Sequence, residues 1–214
     1  MSQIKLVVFD MDGTIIEPRS SWAMIHDHFG TDNSEMLQMY IDHKISDKEF
    51  VKADIALWNS KSDRPVNEEY INSILDKAKP RKGAEELIRS LHEENIKTLI
   101  LSGGIQYLAD KWAKQWDMDD ALANDLIDDS EGNLTAIIKS SGHNKGPVME
   151  GMIEKYNLSK NEIAAVGDTV VDIPTFERAG LSVAVNTEDE RVISKANYHL
   201  KGDLSELTKL ILNW

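Results

Sequence analysis

Asp10 and Asp12 stand one residue apart at the end of the apolar run Val7-Val8-Phe9, and Gly13-Thr14 follows them. In a strand, residues two apart point the same way, so both carboxylates project together from the strand's carboxyl end. Gly13 permits the sharp turn that follows. Two buried carboxylates so close together are costly unless a counter-charge offsets them. Asp and Gly after an apolar run are also ordinary turn residues, so the pair acquires meaning only from what else the chain brings to it.

Three further polar clusters follow apolar runs or open helices: Ser102-Gly103-Gly104, Lys145-Gly146, and Gly167-Asp168 with Asp172. Ser102 and its two glycines are expected to open a helix, where the hydroxyl and free backbone N–H groups would cradle an anion. Alone, each cluster has a plainer explanation: a cap, a solvated lysine, a helix-capping aspartate. Together they place Asp10, Asp12, Asp168 and Asp172 in one crevice, where four carboxylates cannot all ionise without positive charge. Oxygen-only ligands suit a hard divalent cation, most simply Mg²⁺, and Lys145 supplies further positive charge. Such a site would hold a phosphate dianion, and a carboxylate nucleophile attacking it gives an acyl-phosphate that water splits. The second aspartate must then carry a proton for the leaving oxygen, which carboxylate crowding favours.

The elements that must position these groups are legible from periodicity. Ser20 caps a helix carrying Trp22, Ile25 and Phe29 that stops at Gly30, and a second helix surrounds Met36, Leu37, Tyr40 and Ile41. Ser46 and Glu49 form a capping box for a third helix with Val51, Ile55 and Trp58, and Asn67 caps a fourth with Ile71, Ile74 and Leu75. Beyond Lys79-Pro80-Arg81-Lys82-Gly83, buried strands alternate with amphipathic helices, which implies a parallel sheet covered on both faces. Residues 121–140 are the exception and predict a hairpin around Ser130-Glu131-Gly132-Asn133. Because the first strand precedes the helical block, the expected class is α/β: a Rossmann-like core of residues 1–16 and 80–214 with residues 17–79 inserted as a helical domain. Ligands of such sheets bind beyond the carboxyl ends of the strands, where three of the clusters fall, while Lys145-Gly146 sits in a loop before a helix.

Composition narrows the function. The net charge of −13 opposes binding to nucleic acid, and no apolar stretch approaches the roughly 20 residues of a membrane span. The first residues read as a strand rather than a signal peptide, so a cytoplasmic location is expected. Zero cysteines exclude disulfides and thiolate chemistry, leaving oxygen and imidazole groups. The six histidines include no metal-binding pair; His26 and His28, two apart on a predicted helix, are expected at the surface.

Phe9-Asp10-Met11-Asp12-Gly13-Thr14, Leu101-Ser102-Gly103-Gly104, Lys145-Gly146 and Gly167-Asp168 with Asp172 resemble, in order, the four motifs of the haloacid dehalogenase superfamily. The helical block is similar to that superfamily's cap. The resemblance implies an Mg²⁺-dependent phosphatase of small phosphorylated metabolites, with Asp10 as nucleophile and Asp12 as general acid, then base. Asp12 would also offer the metal its backbone carbonyl. Ser102 and Gly103 would hold the phosphoryl oxygens, and Lys145 would neutralise the transferring charge. Asp10 and Asp168 would ligate the metal, and Asp172 would support the lysine. A phosphotransferase and a non-catalytic regulatory protein are the alternatives on this fold.

Within the superfamily the chain is most similar to the phosphoserine phosphatase-like branch, with Ala123-Asn124 and Asn144-Lys145-Gly146 as further points of likeness. Where that branch has a glutamate for the substrate ammonium and an arginine for its carboxylate, an ungapped alignment places Arg19 and Asp54. A pocket reversed in sign cannot hold serine in the same pose, so Arg19 and Asp54 are candidate specificity residues. Arg19 would suit a second anionic group on the substrate. The branch's asparagine before the last motif aspartate is Val171 here.

Overall fold

Leu6–Phe9 contains no polar residue and forms β1, fully buried at the centre of a seven-stranded sheet in this computed structural model, which describes residues 4–141 and 144–214. His143 lies outside the described residues. The helices that follow β1 are α1 (Ser21–Phe29), α2 (Ser34–Ile41), α3 (Asp47–Lys61) and α4 (Glu68–Leu75). Ser20 Oγ accepts from the Ala23 amide and Gly30 closes α1 with a left-handed backbone, while Ser46 and Glu49 cap α3 reciprocally. The chain enters and leaves this block side by side: the Glu17 amide donates to the Lys79 carbonyl at 2.9 Å, and the Arg81 amide to Ile15 at 2.9 Å.

The remaining elements are α5 (Ala84–Glu93), β2 (Lys97–Ile105), α6 (Gln106–Gln115), β3 (Asp120–Asp128), β4 (Leu134–Ile137), α7 (Lys145–Glu154), β5 (Ile163–Gly167), α8 (Ile173–Phe176), β6 (Leu181–Val185), α9 (Glu190–Ile193), β7 (Tyr198–Leu200) and α10 (Leu207–Leu212). The sheet order is β4-β3-β2-β1-β5-β6-β7, parallel except for the β3–β4 hairpin. Alternate residues of β1 face opposite cores. Val7 and Phe9 pack in a cluster that includes Leu87, Leu108 and Leu207 from α5, α6 and α10, whereas Leu6 and Val8 pack with Met149 and Phe176 from α7 and α8.

One element differs from expectation. Ser102, Gly103 and Gly104 continue β2 in extended form, and α6 starts only at Gln106. The Gly104 amide donates to Ser102 Oγ and the Ile105 amide to Ser21 Oγ, so side-chain hydroxyls take N–H groups that were expected to form a helical cradle. No helix among the described residues is long and apolar enough to cross a membrane.

Candidate active site

β1 lies between β2 and β5, with Phe9 in register with Ile100 and Val166. The residues that follow on the three strands, Asp10, Leu101-Ser102 and Gly167-Asp168, therefore emerge at one end, where chain order reverses. Lys145, the first residue of α7, reaches this point with its ammonium buried. Its Nζ donates to Asp10 Oδ1 at 2.6 Å and to Asp172 Oδ1 at 2.5 Å. Burial alone would pull the lysine down, but the two carboxylates outweigh it and its affinity for the proton rises above the ordinary value.

Asp172 is fixed from its other side. Its Oδ2 accepts the amides of Asp168 and Thr169, both at 3.0 Å, so the carboxylate closes a turn as well as pairing Lys145. Asp168 Oδ1 accepts the Thr14 hydroxyl at 3.0 Å. Gly13 makes this possible: its φ is +75°, and a Cβ there would stand 2.3 Å from Asp168 Oδ2.

Asp12 turns the other way, toward the inserted helices. Its Oδ2 accepts both the backbone amide and the hydroxyl of Ser21 at 2.7 Å, whereas Oδ1 is buried with no partner. Burial pushes the Asp12 carboxyl up, partly countered by the Ser21 bonds. Gly104 passes so close that a Cβ would lie 2.6 Å from both Asp12 Oδ2 and Ser21 Oγ. The neighbouring Gly103 carbonyl is gripped from both sides, by Trp22 Nε1 at 3.0 Å and Asn124 Nδ2 at 2.8 Å.

Residues 4–180 match the family model of the haloacid dehalogenase-like hydrolases. The chain belongs to that family. It is 31% identical over 189 residues to a phosphoserine phosphatase of Archaeoglobus fulgidus, covering 86% of this chain and 53% of the relative. The phosphoserine phosphatase of Saccharomyces cerevisiae is 30% identical over 198 residues, covering 86% of this chain and 60% of the relative. The chain thus spans little more than half the length of these two curated relatives. A phosphoserine phosphatase of Methanocaldococcus jannaschii, 25% identical, matches 97% of both chains. Among solved structures, a phospho-aspartyl intermediate analogue of phosphoserine phosphatase superposes with a TM-score of 0.79 at 25% identity, covering 97% of this chain and 99% of that one.

The acidic cluster is a group that could hold a metal ion. Among the described residues, Asp10, Asp168 and Asp172 bring oxygens within 4.8 Å of one another. The cluster includes the Asp172 side chain and not that of Asp12, whose Oδ2 is committed to Ser21. Burial, then the neighbouring Asp172, pushes Asp168 up to about 7, and burial also raises Asp10 well above the ordinary value despite Lys145. Three carboxylates against one ammonium leave an excess of negative charge, and hard oxygen donors at this spacing fit a divalent cation such as Mg²⁺.

The two candidate specificity residues stand apart from the cluster. Arg19 is exposed and does not line the cavity beside Gly103. Asp54 is fully buried inside the helical block, where its Oδ1 accepts Asn33 Nδ2 at 3.0 Å and lies 3.3 Å from His26 Nε2. Its carboxylate is therefore part of that block's interior, which corrects the expectation of a substrate contact. His26 is correspondingly buried, not at the surface, with Trp58 Nε1 3.2 Å from its Nδ1; His28 is exposed as expected. Ser21 and Trp22 are the site residues that sequence reasoning missed, and their one local signal is their adjacency to the helix cap Ser20. Gly104 belongs to the Ser-Gly-Gly cluster, but its close approach to Asp12 and Ser21 is not legible there.

Proposed function

We propose that the protein is an Mg²⁺-dependent phosphomonoester hydrolase that works through an aspartyl-phosphate, with residues 17–79 as its cap over a core of residues 1–16 and 80–214. The observation that carries this reading is the division of labour between two aspartates at one strand end. Asp10 is bound by a buried ammonium, while Asp12 has one oxygen tied to Ser21 and the other without a partner. The names of the relatives, all phosphoserine phosphatases, support the phosphatase class.

In the first half-reaction the Asp10 carboxylate attacks phosphorus, the bond to the ester oxygen breaks, and Asp12 gives its proton to the departing alcohol. In the second, Asp12 takes a proton from water as that water attacks the phosphorus, releasing Asp10 and inorganic phosphate. Lys145 neutralises charge on the transferring group, and the Ser102 hydroxyl with the Gly103 amide holds its oxygens. Mg²⁺ on Asp10, Asp168 and the Asp12 carbonyl, with Asp172 beside them, would supply charge neutralisation at the phosphoryl oxygens.

The test is phosphate release from a panel of small phosphomonoesters, with and without chelator. Release should require Mg²⁺ and fall by roughly three orders of magnitude in Asp10→Asn. An Asp10→Asn protein as active as the native one would overturn the proposal.

A further inference from the structure

Beside the Gly103 carbonyl, the helical block and the core enclose a cavity of about 320 Å³, within the range of small-ligand sites. Gly103 belongs to its lining, as does Trp22, which donates to that carbonyl. The cavity thus adjoins the motif that would hold the phosphoryl group, where the alcohol part of an ester would lie. Its other walls include Leu37, Tyr40 and Phe50 from the helical block and Val171 from the core, and the Tyr40 and Phe50 rings stack with centroids 5.0 Å apart.

Among the described residues of this lining most polar groups are already engaged, while the Ser140 hydroxyl is buried without a hydrogen-bond partner. Among the described residues that line the cavity, Asp47 is the one charged group, and none is a lysine or arginine. Asp47 Oδ1 accepts the Tyr40 hydroxyl at 2.6 Å, and Asp47 occupies the first position of α3, where the helix end stabilises its charge. Asn124 spends its amide on the Gly103 and Ser140 carbonyls and its carbonyl on the Lys139 and Ser140 amides. A substrate carboxylate would meet no cation here and one carboxylate. An ammonium would meet one carboxylate, which already accepts the Tyr40 hydroxyl. By contrast, Leu37 and Val171 are 41% and 36% exposed, so an apolar ligand would remove their surface from water.

We propose, resting on the phosphatase reading above, that this cavity receives the alcohol part of the substrate and that this alcohol is uncharged and apolar, aliphatic or aromatic, rather than an amino acid. Selectivity then comes from buried area, at roughly fourfold per methylene. Phosphoserine, the substrate class named for the relatives, is a poor fit to such walls.

The experiment compares kcat/KM for 3-methylbutyl phosphate and 2-phenylethyl phosphate with phospho-L-serine and phosphocholine, all esters of aliphatic alcohols. 2-Phenylethyl phosphate should exceed phosphoserine by at least about tenfold. Leu37→Gln and Val171→Asn, both at exposed positions, should lower that ratio without lowering Tm. A higher kcat/KM for phosphoserine or phosphocholine overturns the proposal. In parallel, calorimetric titration compares 2-phenylethylphosphonate with 2-amino-4-phosphonobutanoate, neither of which needs turnover. If no ester is hydrolysed, the phosphatase reading fails, yet tighter binding of the arylalkyl phosphonate still upholds the apolar cavity. Equal or reversed binding refutes it.

Discussion

A proton destined for a leaving group is best carried by a carboxyl with one oxygen tied down and the other unpartnered, and Ser21 does the tying at Asp12. Its hydroxyl accepts from the Ile105 amide, so the hydroxyl proton goes to Asp12 Oδ2 at 2.7 Å. Since the Ser21 bonds hold the Asp12 carboxyl down against burial, Ser21→Ala should raise it further. Asp12 must be protonated to phosphorylate Asp10. The alkaline limb of single-turnover phosphorylation should therefore move upward by about one pH unit in Ser21→Ala while its plateau falls roughly tenfold. A downward shift in that limb would contradict the assignment. Gly104→Ala adds a methyl where 2.6 Å separates it from Asp12 Oδ2 and Ser21 Oγ, so it should lower kcat by about a hundredfold with little change in Mg²⁺ affinity. Ser21 was not legible from sequence as part of the site, and Gly104 was legible only as a member of the Ser-Gly-Gly cluster, not as a neighbour of Asp12. Asp10, Asp12, Lys145, Asp168 and Asp172 sit in local patterns, whereas Ser21 acts on residues 9 and 84 positions away.

At the scale of elements, local signals did most of the work for the four inserted helices. Side-chain caps at Ser20, Ser46 and Asn67 and the left-handed Gly30 are encoded within a turn of the helix ends they set. β2 was harder, because Ser-Gly-Gly reads equally as a strand's end and a helix's start. The choice falls to the Ser21 hydroxyl, which takes the Ile105 amide from outside the sheet. His26 was misjudged for a related reason: its burial depends on Asp54 and Trp58 from α3, which periodicity within α1 does not reveal. That trio, with Asn33, ties α1, α2 and α3 together away from the acidic cluster. Asp54→Ala would leave Asn33 Nδ2 without its acceptor and His26 without its carboxylate. It should cost about 2–4 kcal/mol in urea unfolding while leaving kcat/KM within about a factor of two. A large loss of kcat/KM at unchanged stability would instead place Asp54 in the substrate site.

At the scale of the whole molecule, the α/β class followed from strands and helices in alternation, and the acidic balance from composition. How the site's charge bears on folding required the structure. Asp168 stands at about 7 in the folded chain against 3.8 for an ordinary aspartate, and Asp10 and Asp12 are raised in the same direction. Between about pH 4 and 7 the folded chain therefore keeps protons that the unfolded chain has released, so stability falls as pH rises through that window. Glu162 has the opposite sign: the Lys5 ammonium and the Ser159 hydrogen bonds hold it at about 2, and its contribution is present above 4.5 and lost as pH falls toward 2. Chelator-treated protein should thus be most thermostable near pH 5 and lose about 5 °C in Tm by pH 7.5. On the proposed function saturating Mg²⁺ would bind the ionised cluster, so it should raise Tm more at pH 7.5 than at pH 5 and flatten the decline. Thermal melts across this range with chelator and with Mg²⁺ provide the check. A chelated protein whose Tm holds level or climbs from pH 5 to 7.5 would mean that burial does not hold protons on Asp10, Asp12 and Asp168 in the folded state, and the electrostatic case for a cation beside them would weaken with it.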